Sequence, residues 1–137
     1  MKSTLFITIL LFCTVSYGQD INIDSRLKDN LGDRIESIYH KQNSYYNFLK
    51  WELDYGYQII DLKPGESHTL LSISEIVSNN NVKFSSSDLE NKNNFNFFKY
   101  NFIRQKNESV YYDLGNGKIL KFTSLTAVWD EYKKSKK

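Results

Sequence analysis

The 137-residue chain carries 18 Lys and Arg against 16 Asp and Glu, a net charge of +2 that is too balanced for affinity built on phosphate neutralisation. Nucleic acid is therefore not an expected partner. The single cysteine, Cys13, lies in an N-terminal apolar run, so the chain beyond that run has no thiol catalysis, disulfide or cysteine-ligated metal. Ten Tyr, nine Phe and two Trp are left to supply much of the packing.

The first residues have the layout of a secretory leader. Lys2 gives a positive start, Leu5 to Val15 form an apolar run too short to span a bilayer, and Ser16-Tyr17-Gly18 places small residues where a signal peptidase reads before Gln19. Cleavage between Gly18 and Gln19 is expected, leaving residues 19–137 as a single domain without a membrane span. Cys13 follows Phe12 rather than the small residue that a lipid-bearing cysteine requires, so it is read as part of the leader. Abundant Asn, Lys, Ile, Tyr and Phe with little Ala, Gly or Pro suggests a bacterial source. The expected localisation is periplasmic or secreted.

From Asp24 onward, Leu27, Leu31, Ile35, Ile38, Tyr45, Leu49 and Leu53 recur at spacings of three, four and seven, which keeps one helix face apolar. Gln42-Asn43-Ser44 interrupts that face, so two helices are predicted, over 24–42 and 45–54. Asp24 or Ser25 can cap the first and Ser44 the second. Gly32 weakens the first by about 1 kcal/mol relative to alanine. Gly56 ends the second helix, and Tyr57 to Leu62 has the β-branched and aromatic character of a strand. Lys63-Pro64-Gly65 is a turn. Ser67 to Ser78 reads as a strand followed by a short helical turn near Ser74-Glu75. A long polar loop is expected over about 79–94, anchored by Val82 and Phe84, within the same domain.

In the C-terminal third, Phe98, Tyr100 and Phe102 alternate with polar residues and predict a strand, as do Val110, Tyr112 and Leu114. A hairpin follows. A two-residue Asn116-Gly117 loop would set Tyr112 opposite Lys121, whereas a three-residue Gly115-Asn116-Gly117 loop sets Tyr112 opposite Leu120 and Val110 opposite Phe122. The second register puts every large apolar group on one face, so it is preferred. Ser124 can cap a closing helix with an apolar stripe of Leu125, Val128, Trp129 and Tyr132. The expected class is α+β, with N-terminal helices and a C-terminal helix packed on a small antiparallel sheet that includes a C-terminal β-hairpin.

Catalytic signatures are sparse. His40 and His68 lie in different segments, with no metal-binding spacing and no serine elbow between them. Glu52 and Asp54 are two apart on a helix and point in different directions. Asp61, Glu66, Asp88, Glu90 and Asp113 can meet only through tertiary folding. The Asp29–Asp33 run lacks the alternating ligands and distal glutamate of a calcium loop. No metal or cofactor is expected, and the catalytic residues of any enzymatic role stay unknown.

Trp51, Tyr55, Tyr57 and Tyr111 are the candidate binding residues, since Trp and Tyr give large contact area at low entropy cost. Trp51 has a second reading as a packing residue against Phe48 and Tyr55. The expected function is a non-catalytic binding protein of the cell envelope with a protein or envelope partner, an inhibitor or immunity-type factor being its specific version. The alternatives are a small carboxylate-dependent hydrolase of envelope material and a small-ligand carrier.

Overall fold

The computed structural model describes residues 22–137, so the expected leader, Cys13 and the Gly18–Gln19 cleavage point lie outside the described residues. The apolar stripe beginning at Leu27 folds as three helices rather than two: α1 (Ser25–Leu31), α2 (Arg34–Lys41) and α3 (Asn43–Tyr55). The break is at Gly32. It takes φ 53°, a left-handed conformation that glycine adopts at little cost, and its N–H donates to the Lys28 carbonyl at 2.8 Å to close α1. Asp24 caps α1 as expected, its carboxylate accepting from the Arg26 N–H at 3.0 Å. The third helix starts before Ser44, which is not its cap. Leu27, Ile35, Leu49 and Leu53 put one face of the helical run into the core.

Four strands form one sheet in the order β1-β4-β3-β2, with β1 at Tyr57–Asp61, β2 at Leu70–Ser72, β3 at Val110–Gly115 and β4 at Lys118–Phe122. Three of them are antiparallel, as expected. The short β2 instead joins β3 in parallel, making the sheet mixed. A 3-10 turn at Ile73–Glu75 follows β2, where the sequence placed a helical turn.

The hairpin has the preferred register: Val110 opposes Phe122 and Tyr112 opposes Leu120. It is reached by a route that combines both loop lengths. The turn itself is Asn116-Gly117, with φ 53° and 72°, the left-handed pair that a two-residue hairpin turn demands. An irregularity between Asp113 and Gly115 then absorbs one residue and restores the apolar register.

The stretch Phe98 to Ile103 is not a ladder strand. Both edges of β3 are occupied, by β4 and β2, so this stretch has no place beside it. Phe97–Lys99 makes a 3-10 turn, and Tyr100 forms only an isolated bridge with Ser78. The chain packs against the sheet face instead: the Phe102 ring lies 5.1 Å from Tyr112 and 4.9 Å from Phe122. The polar stretch 79–94 is pinned by buried Phe84 and Leu89, while the Val82 side chain is 60% exposed and only its backbone ties the loop, to Ser78.

The closing helix α4 (Leu125–Ser135) begins at Ser124, whose hydroxyl accepts from the Ala127 N–H at 3.3 Å. Ser124→Ala is expected to cost about 1 kcal/mol, read as a lowered urea midpoint with an unchanged slope. No loss would mean that the cap contributes nothing.

Candidate binding surface

Side chains three and four apart on a helix share a face. On α3 this sets Phe48, Trp51 and Tyr55 in one line, and on α4 it sets Trp129 beside Tyr132. The two lines meet. Tyr55 lies against Trp51 with ring centroids 4.0 Å apart, Trp51 is 6.0 Å from Tyr132, and Tyr132 is 5.7 Å from Trp129. Phe48 closes the seam at 4.7 Å from Trp129 and 5.6 Å from Tyr132. Its middle is covered, with Tyr132 buried, and its two ends are open: Tyr55 is 52% exposed and Trp129 40%. Trp51 thus takes its packing role, lying between the helices and against the exposed Tyr55.

Beside Tyr55 a cleft of about 290 Å³ is lined by Asp54, Lys92 and Asn93. At the other end, Lys133 Nζ stands 6.0 Å from the Trp129 ring centroid and Lys136 Nζ 5.3 Å from that of Tyr132. Trp129 was assigned to an apolar stripe by sequence reasoning and missed as a surface residue. The signal was available, since a lysine follows each of Trp129 and Tyr132 by four positions.

Tyr57, expected at the surface, is buried at 2% exposure. It opens β1 on the same sheet face as Phe122, and its ring packs against Phe95 at 5.0 Å and Phe97 at 5.9 Å. Local cover decides this: Ile59, on the same strand face, stays 45% exposed, whereas the Phe95 and Phe97 rings close over Tyr57. Tyr111 is half-buried on β3. Its ring stacks on His68 at 4.2 Å and 16°, beside a cleft of about 410 Å³ lined also by Ser67, Gln105, Glu108 and Ser109. It makes no ring contact with Trp51 or Tyr55, so the structure joins only two of the four candidates.

Three of the acids are held by arginines. Glu52 is buried and ion-paired with Arg104; burial pushes its carboxyl above the ordinary range, with the Arg104 charge and hydrogen bond opposing. Asp24 and Asp54 both receive Arg26 Nη2, at 2.8 Å each. Burial raises the Asp24 carboxyl, but the Arg26 hydrogen bonds and charge outweigh it and leave the group below its usual value. His40 is exposed at the end of α2, edge-on to Tyr39. His68 Nε2 is 3.8 Å from Glu66. Among the described residues no group of His, Cys, Asp and Glu side chains could hold a metal ion. No described helix is long and apolar enough to cross a membrane.

Comparison with protein-family models, curated proteins and solved structures finds no match to this chain. Its function has to be argued from its own residues.

Proposed function

We propose that the protein is an exported, non-catalytic binding protein that engages a cell-envelope partner through the aromatic seam of α3 and α4. The observation carrying this reading is that Tyr55 and Trp129 stay exposed while the rings between them are packed. A rigid, pre-packed aromatic surface holds large side chains ready for contact at little entropic cost. Export is supported by the leader-like N-terminus and by a remainder free of cysteine.

Two measurements test it. Mass spectrometry of the chain from the extracytoplasmic fraction should find an N-terminus at Gln19; a chain beginning at Met1 and confined to the cytoplasm ends the export reading. Capture of envelope components on the immobilised protein should enrich one component. The double variant Tyr55→Ala/Trp129→Ala should reduce that enrichment roughly tenfold or more, with the fold intact by circular dichroism. Undiminished capture by the variant would move the binding surface elsewhere.

The hydrolase alternative needs two carboxylates in a cleft, one with a raised pKa. The raised carboxyl, Glu52, is buried against Arg104, so no observation favours that reading. The carrier alternative needs space beneath the sheet. There the rings of Phe95, Phe97, Phe102 and Phe122 pack on one another.

A further inference from the structure

We infer that the partner of the α3–α4 seam is an anionic phospholipid surface; this deepens the binding reading above and rests on it. The seam combines two chemistries that flank the boundary of a bilayer. Trp and Tyr are large rings with a polar tip, which suit the boundary between headgroups and acyl chains. Lysines extend an ammonium to lipid phosphates while their stems lie on apolar surface. Here the two are interleaved: Lys133 lies over the ring of Trp129 and Lys136 over that of Tyr132.

Positive charge gathers at the C-terminal end of α4. Lys134, Lys136 and Lys137 form no ion pair among the described residues, and Lys133 pairs with Asp130 at 2.9 Å. Asp54, near the Tyr55 end, shares Arg26 with Asp24, so that end keeps a negative charge and the lipid contact is made by the α4 end. Glu131 follows Trp129 by two residues, roughly 200° around the helix, so it faces away. Protein–protein interfaces are depleted in lysine, whereas helices that lie on membranes carry it beside Trp. That contrast favours lipid over a protein partner. The 11-residue α4 is too short to span, so the contact is peripheral.

The chain has two tryptophans, Trp51 and Trp129, and both belong to this seam, so intrinsic fluorescence reports on it directly. The purified protein, as its host processes it, is titrated with vesicles of phosphatidylcholine containing about one third phosphatidylglycerol, and with phosphatidylcholine alone. The expected result is a blue-shifted emission and co-sedimentation with the anionic vesicles, weakened by salt and lost without phosphatidylglycerol. Lys133→Gln/Lys136→Gln, which removes the two ammonium groups over the rings, should reduce the affinity roughly twenty-five-fold, at about fivefold for each lysine. Trp129→Ala should weaken binding in its own right. The N-terminal residues are common to every variant, so these differences belong to the seam.

Equal binding to both vesicle types, or variants that bind like the parent, would overturn the inference. If no vesicle binds while envelope capture still depends on Tyr55 and Trp129, the lipid inference fails and the binding proposal stands. If neither assay responds, both fail.

Discussion

Arg104→Met is expected to lower stability at neutral pH by about 3–5 kcal/mol, the cost of leaving a buried charge without its partner. Glu52 is 3% exposed in α3, and Arg104 is its ion-pair partner. The guanidinium carbon also stands 4.9 Å from the Phe97 ring centroid, so methionine keeps part of the packing while removing the charge. Burial already raises the Glu52 carboxyl above 4.5, and loss of the arginine raises it further.

The sign of the pH effect follows. A carboxyl whose pKa is raised on folding binds more protons in the native state than in the unfolded one. Its favourable contribution is therefore present at acid pH and is lost as pH rises from about the unfolded value through the folded one. The variant should be furthest from the parent at neutral pH and recover part of the deficit in mild acid. Adding Glu52→Gln to Arg104→Met removes the stranded charge and should restore most of the stability at neutral pH. Urea unfolding at neutral and mildly acidic pH measures this. A deficit of the same size at both would show that Arg104 acts through packing alone.

The second large effect is expected at Phe97. Truncation to alanine should cost about 3–5 kcal/mol, because the ring is 1% exposed and the surroundings can refill only part of the cavity. Its neighbours are the rings of Phe98 at 4.6 Å, Phe122 at 5.3 Å and Tyr57 at 5.9 Å, besides Arg104. Phe98→Ala, at a half-buried position, should cost distinctly less. The order of these two thermal midpoints is the informative result. The alternation of Phe98, Tyr100 and Phe102 in the sequence assigns Phe98 to the core, and a larger loss at Phe98 would support that strand over the 3-10 turn.

The comparison marks where sequence reasoning works. Apolar stripes with helical spacing located the helices, because that periodicity is a local property and tertiary packing did not override it. Hairpin register was legible for the same reason: only one pairing kept Val110, Tyr112, Leu120 and Phe122 together. Non-local facts were not legible. Nothing near Leu70 announces a parallel neighbour forty residues on, and nothing near Phe98 says that both edges of β3 are already taken. The Glu52–Arg104 pair joins residues far apart in the chain, each of which looks like ordinary surface charge by itself. At the seam, Trp51 and Tyr55 were named as binding candidates from residue type, and the structure brings their rings together. Tyr57 was misplaced because the rings that cover it, Phe95 and Phe97, come from a stretch about forty residues on.

The strand order has a consequence for how the molecule assembles. The two outer strands, β1 and β2, come first along the chain, and the hairpin that fills the gap between them comes last. Until residues 110–122 are present, neither outer strand has a sheet partner, and their ladder groups must wait solvated. A chain threaded from its N-terminus therefore delivers three of the four described helices well before the described sheet can form. Closure is a single late event in which the arriving hairpin recruits both waiting strands and seals the phenylalanine layer beneath them. Such non-local pairing is slow relative to helix formation. If the proposed export carries the chain across a membrane unfolded, the sheet waits until nearly the whole chain has emerged.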